Sequence, residues 1–222
     1  MNKRLSFLLL LATATLLLFL NLGKLGLTDW EEGTHAEAAR EMIENGDWMT
    51  PTLNGEPRFE QPVFTYWLMN GAYRLLGVSE LSARIPSAVG MAALVLLQYW
   101  FLTSTRGAFI GLVGSLMLLL NIEMVAIGRM AWTDSVLIFF TTASLFGFWV
   151  GLHGEGKQRH AFWFFYVGMA IGMLTKGPIG VVVPLLGAVP YLFVTHRWKQ
   201  FWENGFPILG LLIVALLTCP WY

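Results

Sequence analysis

Of 222 residues, 56% are hydrophobic and only 13% charged, and the mean hydropathy is +0.60. A soluble domain carries about 25% charged residues, so the composition excludes one and places the chain in lipid. The 14 basic and 14 acidic residues balance, which removes bulk attraction to nucleic acid, and the lone Cys219 excludes an internal disulfide or a multi-cysteine metal site.

A membrane helix needs about 20 largely apolar residues. In chain order the full-length candidates are Leu5–Leu22, Ile85–Leu102, Phe109–Ala126, Ser135–Leu152, Ile179–Val194 and Pro207–Pro220. Ala161–Leu174 is a shorter seventh, and its aromatic run Phe162 to Tyr166 suits a helix entering the headgroups. Lys3 and Arg4 precede the first segment, but no small-residue cleavage site follows it, so it reads as an uncleaved anchor. With the N-terminus cytoplasmic, seven alternating spans put Lys3, Arg4, Arg106, Lys157, Arg159, Arg197 and Lys199 inside. Arg129 and Lys176 are then the only basic residues in short outer turns, and Glu155 and Glu203 the only acids inside. Three segments share the outer face: the Asp29–Glu60 loop, the Glu123–Asp134 turn and the Lys176 turn.

The first outer loop, 28–82, holds two expected interfacial helices. Thr34 with Glu37 has the form of a capping box, Ala36, Ala39 and Ile43 recur at helical spacing, and Asn45-Gly46 supplies a stop. Glu37, Arg40, Glu41 and Glu44 form the polar face of that helix, by default solvated. Asp29, Glu31 and Glu32 crowd just before the predicted start. The helix dipole favours their ionised forms and mutual repulsion raises at least one pKa, so the cluster serves either as helix stabilisation or as a proton acceptor or metal ligand. After a turn-rich stretch ending at Glu60, Pro62–Gly77 carries Tyr66, Trp67, Tyr73 and Arg74. Those polar and aromatic residues predict a second interfacial helix, because a span there would invert every later loop and break the charge rule.

In GRMAWTDSVLIFF, Arg129 and Asp134 flank the start of a span, either as an ion pair with a cap at Thr133 or Asp134 or as site residues. Lys176, in MLTKGPIG, either snorkels to the surface or binds a phosphate. His35 is a candidate hydrogen-bonding or metal group, whereas His153, His160 and His196 fall on the inner side.

The string DWEEGTHAEAAREMIENGDWMTPTLNGEPRFEQP, followed in order by GVSELSARIPSA, WTDSVLIFF and LTKGPIG, resembles the bacterial branch of the protein mannosyltransferase and aminoarabinose (lipid A) transferase family. The match runs from about Asp29 to the final span. It implies an all-α integral membrane protein, a multi-span helical bundle of the GT-C fold with interfacial helices in the first outer loop. It also implies transfer of a sugar from a polyprenyl-phosphate donor to a lipid A-like, protein or other glycan acceptor at the outer face of the bacterial inner membrane. No nucleotide-binding motif is needed or seen.

The resemblance lays Glu31 and Glu32 on the family's acidic pair, usually Asp-Glu, which contributes the catalytic carboxylate. Here the first acid is Glu, and Asp29 is the rival base. FEQP keeps Glu60 of the family's Phe-Glu-Lys-Pro motif but has Gln61 where lysine is common. Asp134 matches an acid at the head of a later span, and Lys176 the outer lysine offered to the lipid phosphate. Arg129 or a divalent cation would assist, with Glu32 and Asp134 the candidate metal ligands and His35 a further candidate contact. A transporter or flippase component and a non-catalytic scaffold are the alternatives. The chain is expected to be a fragment, since family members usually continue for several more spans.

Overall fold

The computed structural model describes residues 2–28, 30–154 and 156–222, without the side chain of Lys157. Its elements are almost all helical and fall into two compact units, Met1–Val136 and Leu137–Tyr222.

In the first unit, α1 (Lys3–Phe19) starts on Asn2, whose side chain accepts the Arg4 N–H, and buries Leu10, Ala14 and Leu18 at helical spacing. Helix α2 (Trp30–Asn45) ends where Gly46 takes φ 70, as the Asn-Gly pair predicts. A two-stranded hairpin, β1 (Thr52–Leu53) with β2 (Glu56–Pro57), turns through Asn54 and Gly55 at φ 55 and 79, the paired positive values of a type I′ turn. Helix α3 (Phe64–Leu76) follows. At 16 and 13 residues, α2 and α3 are about 24 and 20 Å long, too short for about 30 Å of hydrocarbon. They pack together through Ala36, Ala38, Ala39 and Met42 against Tyr66, Met69 and Tyr73, with Ala83 and Ala131 closing the cluster.

Helix α4 (Glu80–Arg106) begins one turn before the expected Ile85 because Ser79 caps it, accepting the Ser82 N–H. The expected continuous segment Phe109–Ala126 is instead two helices, α5 (Ala108–Leu119) and α6 (Ile122–Arg129), bent by 67°. Asn121 accounts for the break: its side-chain oxygen accepts the N–H groups of Glu123 and Met124, which starts a new helix inside an apolar run. Asn121→Ala is expected to lower stability by about 1 kcal/mol and Asn121→Gly by only a few tenths, read as shifts of the unfolding midpoint in detergent. At Gly128 on α6 an added Cβ would meet Met91 of α4 at 2.9 Å and Leu18 of α1 at 3.0 Å, so the three helices meet where a side chain has no room.

Helix α7 (Asp134–His153) runs from the end of the first unit into the second, which continues with a 3-10 turn (Gly156–Ala161), α8 (Phe162–Lys176), α9 (Ile179–Thr195), α10 (Trp198–Asn204) and α11 (Pro207–Thr218). Its core is Phe148, Leu152, Phe162, Phe165, Tyr166, Met169, Ala188 and Leu192. The aromatic run read from composition as an interface anchor is thus mostly core: Phe162, Phe165 and Tyr166 lie on one face, and Phe164 points outward. The Tyr166 hydroxyl donates to the Gly205 carbonyl at 2.6 Å. Among the described residues, α4 and α7 are each long and apolar enough to cross a membrane, and the bent pairs α5–α6 and α10–α11 are each a broken span or a re-entrant loop.

Candidate active site

The first turn of α2 is the centre of the first unit's polar network. The helix begins at Trp30, earlier than the Thr34–Glu37 box predicts, so Glu31 and Glu32 stand inside its first turn rather than before it. Thr34 is interior, its hydroxyl donating to the Glu31 carbonyl at 3.0 Å. One reason for the early start is visible: the third helical residue, Glu32, reaches back to accept the Thr28 N–H at 3.1 Å. Asp29 lies outside the described residues.

Glu32 has no exposed surface. Arg84, from α4, donates Nε to its Oε1 at 2.7 Å and Nη2 to its Oε2 at 2.9 Å, and the Ala131 N–H donates to Oε1 at 2.8 Å. The same guanidinium donates to the carbonyls of Leu22, Leu25 and Gly26, at 2.9, 2.7 and 2.9 Å. Burial pushes the Glu32 carboxyl up, but the Arg84 side chain, the two backbone N–H donors and the Arg84 charge together hold it below the usual glutamate range. Both its oxygens are thereby occupied, and they do not suit a metal ion. Among the described residues no three His, Cys, Asp or Glu side chains gather as metal ligands.

Glu32 and Arg84 fasten the turn that leads to Asp134. Besides the Ala131 N–H on Glu32, the Ala131 carbonyl accepts from Nδ1 of fully buried His35 at 3.3 Å; a carbonyl only accepts, so the proton sits on that nitrogen. Ser87 donates to the Trp132 carbonyl at 2.8 Å. Arg129 donates to the carbonyls of Leu17 and Leu20 at 2.7 and 3.0 Å, placing its charge at the negative end of α1. Among the described residues Arg129 is held by these two carbonyls and not by the expected ion pair. Asp134 then opens α7 next to buried Thr133.

Glu31 is the contrast. It is half-buried, and among the described residues its carboxylate makes no hydrogen bond or ion pair. On the buried face of α3, Tyr66 lies with its ring 6.0 Å from that of His35, and burial pushes its phenol up to about 12. The Tyr66 hydroxyl, both amide atoms of Asn70 and the hydroxyls of Thr133 and Ser135 are buried without a hydrogen-bond partner among the described residues, groups that water or a polyhydroxyl ligand would satisfy. Glu60 is exposed and pairs with Arg58 at 2.7 Å, while the Gln61 side-chain oxygen is buried with no hydrogen-bond partner among the described residues. Lys176 belongs to the second unit, half-buried at the end of α8, where Gly177 at φ 72 stops the helix.

The polar face of α2 is less solvated than its sequence suggests. Arg40 pairs with Glu37 and Glu44, but Glu41 is 9% exposed and accepts from the Thr52 hydroxyl and the Asn54 and Gly55 N–H groups at 2.6, 2.6 and 3.2 Å, pinning the hairpin to the helix. The Thr52 hydroxyl, opposed by burial and aided by the two backbone donors, holds the Glu41 carboxyl below its usual range. Docking of the hairpin is therefore complete above about pH 4.3, the unfolded value, and weakens as pH falls through the lower folded value. Glu41→Ala is expected to loosen this docking by about 1–3 kcal/mol, measured as faster amide exchange over residues 52–57 with α4 unchanged.

The residue that sequence reasoning missed is Arg84. Its signal was present, a guanidinium at the start of an apolar span, where an ionisable group is expensive unless paired.

This helix order, with short helices and a hairpin between the first two long apolar segments, is that of solved membrane proteins of the GT-C fold. Crystal structures of ArnT from Cupriavidus metallidurans, in the apo state and bound to undecaprenyl phosphate, superpose with TM-scores of 0.88 and 0.89 at 28% identity, over 96% of this chain and 40% of theirs. Residues 5–222 match the family described as dolichyl-phosphate-mannose-protein mannosyltransferase, and the chain belongs to it. It is 28% identical over 217 residues to an undecaprenyl phosphate-alpha-4-amino-4-deoxy-L-arabinose arabinosyl transferase of Enterobacter sp. (strain 638), across 96% of this chain and 39% of the relative. It is 31% identical to an uncharacterized protein of Aquifex aeolicus (strain VF5), across 97% of this chain and 43% of that protein. The chain thus spans about two fifths of the length of these relatives.

Proposed function

We propose that this protein transfers a sugar from a polyprenyl-phosphate donor to an acceptor in the membrane or at its outer face, with Glu31 as the base. The observation that carries the assignment is the division of labour within the acidic pair: Glu32 is consumed by Arg84, Ala131 and Thr28, whereas the carboxylate of Glu31 next to it makes no hydrogen bond or ion pair among the described residues. An ArnT structure bound to undecaprenyl phosphate supports a lipid-borne donor. Glu31 accepts the proton of the attacking acceptor group as its bond to the anomeric carbon forms and the bond from that carbon to the phosphate oxygen breaks. The leaving polyprenyl phosphate takes the electron pair.

Lys176 is assigned to that phosphate on the family resemblance, and Asp134 and Glu60 to organising the donor. The topology follows the charge rule, with the N-terminus cytoplasmic and α2, the hairpin and α3 at the outer surface.

Membranes carrying the full-length protein, given labelled polyprenyl-phosphate sugar, are expected to move label into the acceptor lipid or protein fraction. Lys176→Ala is expected to raise the donor KM. Intact donor binding with no label moved under any acceptor supply would overturn the enzyme reading in favour of a scaffold.

A further inference from the structure

At the opposite end of the first unit, the first turns of α1 and the last turns of α4 enclose a groove of about 620 Å³. Its walls are apolar, including Phe7, Leu8, Leu96 and Trp100, and both of its charged residues are cations, Lys3 and Arg4. The cationic end is held in place: the Tyr99 hydroxyl donates to the Lys3 carbonyl at 3.0 Å, and the rings of Phe7 and Tyr99 lie 6.1 Å apart. Lys3 and Arg4 are exposed and make no ion pair among the described residues. They also stand at the positive end of the α1 dipole, where a cation lowers helix stability, so helix formation does not explain them. Trp100 is 56% exposed, the placement of an indole at headgroup level. A second apolar furrow of about 690 Å³ also begins at Leu8 and runs along α1 to Leu20.

We infer that this groove is a binding site for an anionic phospholipid of the inner leaflet, its phosphate between Lys3 and Arg4 and an acyl chain against Leu8 and Leu96, continuing along α1. Two cations at one end of an apolar trough match a ligand with one anionic and one hydrocarbon end, and the absence of an acid from the lining among the described residues removes repulsion. The leaflet follows from the topology proposed above. The site itself is independent of the sugar-transfer reading.

The test is native mass spectrometry of the full-length protein released from vesicles of equal phosphatidylglycerol and phosphatidylethanolamine. The wild type is expected to retain phosphatidylglycerol preferentially. Lys3→Gln with Arg4→Gln should weaken that retention about 30-fold, about fivefold for each cation. Leu96→Trp, which fills the trough and leaves both charges, should also release the lipid, whereas attraction to a merely basic surface would be unchanged. Equal retention of the two lipids by the wild type overturns the inference, as does a preference that survives both variants. So does a groove covered by protein, seen as Ser104→Cys, in a background with Cys219 and every other cysteine of the full-length protein changed to serine, failing to react with a lipid-soluble thiol reagent. None of these readings requires sugar transfer.

Discussion

Glu31→Gln is expected to lower sugar transfer by about 10²–10⁴-fold, the contribution of a positioned general base, with the fold and donor binding retained. The substitution is isosteric, and the carboxylate it neutralises has no hydrogen bond or ion pair among the described residues, so stability should change by less than about 0.5 kcal/mol. The rate of label transfer and the unfolding midpoint, measured on one preparation, separate the two effects. Glu31→Asp draws the carboxylate back by one methylene, and a misplacement of about 1 Å is enough for a loss of about 10²-fold. A Glu31→Gln protein that transfers at the wild-type rate would remove Glu31 from the chemistry and shift the test to Asp29→Asn. Loss of transfer accompanied by an equal loss of folded protein would mean that Glu31 is structural as well.

The difference between Glu31 and Glu32 was not legible in the sequence, where they are equivalent neighbours. It arises from a partner 52 residues away on α4 and a backbone N–H 99 residues away at Ala131, and neither separation leaves a local pattern. Local rules worked where local groups decide. Asn45-Gly46 ends α2, Asn54-Gly55 turns the hairpin, and the polar, aromatic segment after Pro62 is a short helix. They misplaced the start of α2, because Thr34 and Glu37 look like a cap until Glu32 is seen reaching back to Thr28. Asn121 in an apolar run did signal the α5–α6 break, and hydropathy averaged over the segment hid it. For Phe162, Phe165, Tyr166 and Met169, helical period locates the buried face where aromatic content alone suggested an interface.

Removing one side of the Glu32–Arg84 pair is expected to have the largest effect on stability. Arg84→Met leaves a fully buried carboxylate with the Ala131 and Thr28 N–H groups, and Glu32→Met leaves a buried guanidinium with three carbonyls and without its paired carboxylate. Each should cost about 3–5 kcal/mol, the range for an uncompensated buried charge. The double Met variant should lose much less than the sum, since replacing a whole buried pair with apolar side chains is often near neutral, and the cycle gives the coupling directly. Acid sensitivity tests the same pair. The folded carboxyl lies below its unfolded value of about 4.3, so the pair's contribution is complete above that pH and is lost as pH falls through the folded value. The double variant should lack that part of the acid transition. Transfer activity distinguishes a stabilising pair from a positioning one. The pair joins the segment after α1, the first turn of α2, α4 and the Ala131 turn, so a double variant that regains stability should still transfer slowly, with kcat reduced and donor KM little changed. Full recovery of kcat with stability would show that the pair only holds the unit together, and that Glu31 and Asp134 find their places without it.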